Sequence, residues 1–162
     1  MTPKTFGRFA IVRKIAGGGM GRVFEAADNA QGLRVALKLV DHGSDADSLE
    51  ILAAERHGAI LQKQLGLVDQ RVAAVHEFGD HEEAFFIVME YVDGQDVSEV
   101  GRIGAPFAAR IAQDVLEVLS LAHGYRTNIE GREYHGLVHG DIKPRNIRIT
   151  TVGQVKLLDF GI

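Results

Sequence analysis

Along the first ninety residues, apolar positions come in short runs broken by polar turns, and the runs predict strands. Phe9 to Ile15 is apolar and β-branched and leads into Gly17, Gly18, Gly19, Met20 and Gly21; Val23 to Ala27 follows, then a turn at Asp28, Asn29 and Gly32, then a strand from Leu33 to Val40. From Asp47 to about Leu65 the period becomes helical, with Asp47 three residues before Glu50 reading as a capping box. Val72 to Phe78 and Ala84 to Tyr91 read as a strand pair, and the pattern changes at Asp93, Gly94 and Gln95. Beyond that point Phe107, Ile111, Val115, Val118, Leu119 and Ala122 recur at helical spacing and predict one long amphipathic helix. Arg126 to Glu133 reads as a polar loop, and Ile147 to Ile149 and Val155 to Leu158 as two short strands around a turn. Strands gathered at the front and a long helix behind them give an α+β class.

Composition narrows this little. The 162 residues suffice for one domain or two small lobes, and 46% apolar with 25% charged residues is ordinary for a globular protein. A net charge of −4 gives no general affinity for nucleic acid or anionic membranes, and the absence of Cys excludes disulfides and thiolate metal sites. Met1 to Lys4 leads into no apolar signal region, and the longest strongly apolar run, Ala84 to Met89, is too short to span a bilayer. The expected location is cytoplasmic, with no nucleic-acid partner and no membrane segment.

The chemistry sits in a few segments. Glycines permit φ > 0 and let backbone N–H groups approach an anion, although a plain tight turn explains them as well. No Gly-Lys-Ser/Thr follows, and the next segment reads as strand rather than helix, so neither a Walker A loop nor a dinucleotide fingerprint fits. Strand, glycine loop and strand together form the flap that covers ATP phosphates in protein kinases. Lys38 lies in the otherwise apolar run Val35 to Val40, where a charged amine needs a partner unless it snorkels from an edge strand. Glu55 has Ile51, Leu52 and Ala59 as helical neighbours, so it projects from the apolar face and is the better partner for Lys38.

In Val138-His139-Gly140-Asp141-Ile142-Lys143-Pro144-Arg145-Asn146-Ile147, Asp141 and Asn146 can converge across a proline-constrained loop. Asp141 can accept a hydroxyl proton and Asn146 can ligate magnesium. Thirteen residues after Asn146, Asp159 emerges from an apolar strand ahead of Phe160 and Gly161, a carboxylate suited to a hard cation. Each piece has a plainer reading: turn residues for Asp141 and Asn146, a core histidine for His139, a strand-end cap for Asp159. Chance agreement of all of them, in order, is improbable.

These segments resemble the eukaryotic-type Ser/Thr protein kinase family, particularly its bacterial members, from Phe9 to Ile162. The resemblance implies a protein-kinase-like fold: a β-rich N-lobe with one helix at 1–92, a hinge at 93–97, and the start of a mainly helical C-lobe at 98–162. It implies that Ile15, Ala16, Gly17, Gly18, Gly19, Met20, Gly21, Val23, Ala36 and Lys38 contact ATP. Met89, Glu90 and Val92 match the segment that receives adenine, with Met89 at the gatekeeper position, Asp96 falls at a ribose contact, and Arg148 lies beneath adenine. Asp141, Lys143, Lys38 and Glu55 match catalytic positions, and Asn146 and Asp159 match magnesium ligands. Lys143-Pro144 is typical of Ser/Thr kinases, so the expected reaction transfers the γ-phosphate of ATP to a protein hydroxyl, with ATP and Mg2+ as cofactors.

The sequence departs from the pattern in places. Ala16 replaces the first glycine, Gly140 stands where most regulated kinases have Arg, Arg148 replaces an aliphatic side chain, and Asn128 to Tyr134 lengthens the loop before the catalytic segment. The chain reads as a partial, truncated kinase domain ending just after Asp-Phe-Gly. Two other readings are a truncated nucleotide-binding or pseudokinase module and a kinase-like small-molecule phosphotransferase, the latter opposed by Lys143 and the Gly-Gly-Met-Gly loop.

Overall fold

A computed structural model describes residues 5–18, 21–129 and 131–160. The chain divides into two compact units, Met1–Ala59 with Ala74–Tyr91, and Ile60–Ala73 with Val92–Ile162.

The first unit is built on period-two alternation. Its strands are β1 (Thr5–Phe6), β2 (Phe9–Gly18), β3 (Gly21–Asp28), β4 (Leu33–Asp41), β5 (Val75–His81) and β6 (Ala84–Glu90), in the spatial order β1-β2-β3-β4-β6-β5. Every pairing is antiparallel. Phe24 pairs with Leu37 and Leu37 with Val88, so these three share one face and bury with Phe6, Phe9 and Ala26. Val23, Lys38 and Ile87 are likewise in register and share the other face. That face carries Val40, Phe85, Ile87 and Met89, packed with Ile51, Leu52 and Ala59 of the helix α1 (Ala46–Gly66). A slip of one residue would exchange the two sets, so apolar burial fixes which face Lys38 occupies.

The cap of α1 corrects the sequence reading. Asp45, not Asp47, accepts the Ser48 backbone N–H at 2.9 Å and the Ser48 hydroxyl at 2.6 Å. The Leu49 N–H donates to the Asp45 carbonyl at 3.1 Å, the bond expected when Asp45 is the N-cap.

In the second unit, α2 (Ala105–Gly124) buries Ile111, Val115, Val118 and Ala122, spaced four, three and four apart. Phe107, expected on the same stripe, is 39% exposed, because the buried stripe starts one turn later. The helix packs on β10 (Ile147–Thr150) and β11 (Val155–Leu157), which form a three-stranded antiparallel sheet with β7 (Gly94–Asp96). Part of the expected hinge is therefore strand. Gly94 allows it: a Cβ there would lie 2.0 Å from the Ile149 carbonyl oxygen. The sequence reads Arg126 to Glu133 as a polar loop, but its described residues pair in β8 (Arg126–Ile129) and β9 (Arg132–His135). The chain re-enters where it left the helix: Gly136 donates to the Tyr125 carbonyl at 2.9 Å, and Leu137 to that of Ala122 at 2.8 Å. No helix among the described residues is long and apolar enough to cross a membrane.

Candidate active site

In the first unit the site residues follow from sheet register. Ala16 pairs with Val23, Val23 with Lys38, and Ala36 with Met89, so all five share the face that carries Lys38. Ile15 and Ala36 are half-buried, Ala16 is exposed and Met89 is buried. Gly17 pairs with Arg22 and Gly18 with Gly21, closing the two strands toward the glycine loop; Gly19 and Met20 lie outside the described residues. Gly21 has φ +122°, and a Cβ there would sit 2.7 Å from the Leu39 carbonyl oxygen, so the close approach excludes a side chain.

The Lys38 ammonium lies 2.8 Å from the Glu55 carboxylate, and the two side chains are 11% and 12% exposed. Sheet register brings the lysine to this face and helical spacing brings the glutamate. Glu90 donates its N–H to the Ala74 carbonyl at 2.8 Å and accepts the Ala74 N–H on its carboxylate at 3.2 Å. Val92 is buried.

In the second unit the loop between Val138 and Ile147 closes on itself. Gly140 adopts φ +80°, and a 3₁₀ turn at Pro144–Asn146 follows. Asn146 is buried and donates from Nδ2 to both the Asp141 backbone carbonyl and the Asp141 carboxylate, each at 2.9 Å. Both amide hydrogens are thereby used, which leaves Oδ1, able only to accept, for a cation. Lys143 bonds the same carboxylate and holds its pKa below the usual carboxylate range, so Asp141 stays ionised.

His139 is fully buried and is the hub behind this loop. Its Nε2–H donates to the Leu158 carbonyl at 2.8 Å, and its Nδ1 accepts the Asp141 N–H at 3.2 Å. Burial pushes its pKa down, so the ring is neutral, with the proton on Nε2 as those two partners require. The Leu158 N–H donates to the Asn146 carbonyl at 2.9 Å, so His139 and Asn146 together fix the start of the Asp159 segment. Asp159 has φ +53°, an uncommon conformation for a residue other than glycine. Phe160 is buried with its ring 4.4 Å from that of His139, and Gly161 lies outside the described residues.

Asp96 and Arg148, both expected to contact the nucleoside, are paired with each other. Arg148 Nη1 donates to Asp96 at 2.9 Å and Nη2 to the Gly94 carbonyl at 2.8 Å. Burial pushes the Asp96 carboxyl up against the opposing pull of Arg148. Sequence reasoning also passed over Gln62, buried at 3% exposure on the apolar stripe of α1. The criterion that singled out Glu55, a polar residue among apolar helical neighbours, would have found it.

Among the described residues, no group of three or more His, Asp or Glu is disposed to hold a metal. A cation bound through Asn146 and Asp159 would have one amide oxygen and one carboxylate from the chain. That hard, sparse donor set fits magnesium, which keeps waters and takes further ligands from phosphates.

The family described as "Protein kinase domain" matches residues 9–162. The Ser/Thr-protein kinase PknA of Mycobacterium tuberculosis (strain H37Rv) is 37% identical over 167 residues, covering 96% of this chain and 35% of the relative. The Ser/Thr-protein kinase PrkC of Bacillus subtilis is 32% identical over 160 residues, covering 96% of this chain and 23% of the relative. The tyrosine-protein kinase MasK of Myxococcus xanthus is 32% identical over 170 residues, covering 97% and 25% respectively. The chain thus spans about a third or less of the length of these relatives.

Proposed function

This chain belongs to the protein kinase family, and we propose that it transfers the γ-phosphoryl group of ATP to a serine or threonine hydroxyl of a protein. One observation carries the reading. Asp141, Lys143 and Asn146 are joined in a single network whose free valence is an amide oxygen, and His139 ties that network to the segment bearing Asp159. Phosphoryl transfer needs mainly positioning and charge stabilisation, and these side chains supply both. Asp141 orients the acceptor hydroxyl and takes up its proton late; a carboxylate held low in pKa is a weak base but a good hydrogen-bond acceptor. Lys143, moving from Asp141 to the phosphate, neutralises charge that develops in transfer. Lys38, held by Glu55, orients the other phosphates. Asn146 and Asp159 would hold magnesium, which would supply charge neutralisation at the phosphates.

In the first unit the face bearing Ala16, Val23, Ala36 and Met89, with Ile15 and Glu90, is the part proposed for ATP contact; in the second unit Val92 and the Asp96–Arg148 pair are the residues proposed for nucleoside contact. A cytoplasmic location of this part of the protein, where ATP is available, is part of the same proposal. The acceptor class rests on Lys143-Pro144 and on the named Ser/Thr kinases among the relatives.

The test is transfer from radiolabelled ATP to casein by the full-length protein, with phosphoamino acid analysis of the product. Asp141→Asn is expected to slow transfer by roughly 10²- to 10⁴-fold while leaving ATP binding within about twofold. Unchanged transfer would remove Asp141 from the chemistry, and phosphotyrosine as the sole product would overturn the acceptor class.

A further inference from the structure

Gln62 lies between Ala59 and Leu65 on the stripe of α1, a place where packing alone asks for an apolar side chain. Its carboxamide is instead spent at both ends. Nε2–H donates to the Ala73 carbonyl at 2.8 Å, and Oε1 accepts the Phe160 N–H at 3.1 Å. Gln62, Ala73 and Phe160 all belong to the second unit, so the bridge is internal to it.

We propose that Gln62 is a positioning residue for Asp159, setting the backbone that aims its carboxylate at the metal. The proposal rests on the reading of Asp159 as a magnesium ligand. Asp159 is suspended between two anchored neighbours. On one side Leu158 is held through its N–H by Asn146 and through its carbonyl by His139. On the other side Phe160 is held through its N–H by Gln62. Between them Asp159 has φ +53°, a conformation that persists only where the surroundings over-determine it. Packing of the buried Phe160 ring restrains the side chain, but a ring can keep its place while the peptide ahead of it rotates. The hydrogen bond to the Phe160 N–H opposes that rotation, and the 158–159–160 backbone sets where the Asp159 carboxylate points. An apolar residue at 62 would fill the space without capturing the amide.

The experiment compares Gln62→Met, Gln62→Glu and Asp159→Ala in the full-length protein. Two quantities are read: amide hydrogen exchange at Phe160 without metal or nucleotide, and the ratio of ATP affinity with Mg2+ to that in EDTA, by calorimetry. Gln62→Met is expected to speed Phe160 exchange about tenfold, the loss of one buried hydrogen bond. It should also shrink the magnesium ratio by roughly 10- to 100-fold, the usual effect of losing a group that orients a metal ligand, with affinity in EDTA unchanged. Gln62→Glu keeps an acceptor for Phe160 and should retain protection there. If Gln62→Met does not fold, Gln62→Asn, too short to span both partners, is expected to show the same two losses. A protected Phe160 and an intact ratio in the folded variant, with the ratio collapsed in Asp159→Ala, would overturn the role of Gln62 alone. An intact ratio in Asp159→Ala would instead remove the metal reading on which it rests.

Discussion

Removing one partner of the Lys38–Glu55 pair should cost far more than removing both. The pair spans 2.8 Å with side chains 11% and 12% exposed, so solvent screens it little. Lys38→Met removes the ammonium that the Glu55 carboxylate faces there, and Glu55→Leu removes the carboxylate that the Lys38 ammonium faces. Breaking a buried pair on one side typically costs about 3–5 kcal/mol, whereas replacing both partners by well-packed apolar groups of similar volume is often neutral. We therefore expect about 3 kcal/mol from each single variant, about 1 kcal/mol or less from Lys38→Met/Glu55→Leu, and a coupling energy of several kcal/mol. Hydrogen exchange at Leu37 and Leu39 of β4 measured through a urea series reads the unit that holds both residues. On the proposed phosphate role of Lys38, the double variant should regain stability but not ATP affinity, which separates the two readouts. Single variants costing under about 1 kcal/mol with additive effects, the behaviour of an exposed pair, would refute the claim that the pair is a desolvated unit.

Two further outcomes follow from local geometry. Gly94→Ala would drive a Cβ to 2.0 Å from the Ile149 carbonyl oxygen and should destabilise the β7–β10 pairing by about 2 kcal/mol or more; a thermal midpoint within a degree of the parent would contradict this. Asp69 is held below its ordinary pKa chiefly by the hydrogen bond from Arg71. Its folded value lies under the unfolded one of about 3.9, so its contribution is complete above that pH and is lost as pH falls through the folded value. Thermal midpoints should therefore drop more steeply below about pH 4 in the parent than in Arg71→Met, and parallel curves would exclude the linkage.

What could be read from sequence was what two local rules captured together. Lys38 and Glu55 were visible because each is a charge in an apolar pattern, one with period two and one with period 3.6. The loop from Val138 to Ile147 stood out because its residue types and spacings suit one chemistry. The cap was misassigned because Asp45 and Asp47 stand two apart before the same helix, and only backbone geometry selects the one facing the Ser48 amide. The hairpin from Arg126 to His135 was missed because its partly buried residues, Thr127, Ile129 and Tyr134, are too few to set an alternation against the polar remainder. The Arg148–Asp96 bond was invisible for another reason. It joins positions 52 apart, and nothing local in either segment demands the other.

That hairpin leaves α2 and returns to it within one pair of backbone bonds, so the ten residues from Arg126 to His135 form a closed excursion. Gly136, at φ +75° with the His123 carbonyl oxygen 2.9 Å from where a Cβ would stand, pins the point of return. Tyr125 and Gly136 are already neighbours through a hydrogen bond, which makes this position a natural socket. A change of length between β8 and β9 would leave Ile129 and Tyr134 packed on the core of this unit and the segment that begins at Leu137 in register. A reporter peptide spliced between the two strands would ride on the second unit without passing through its core.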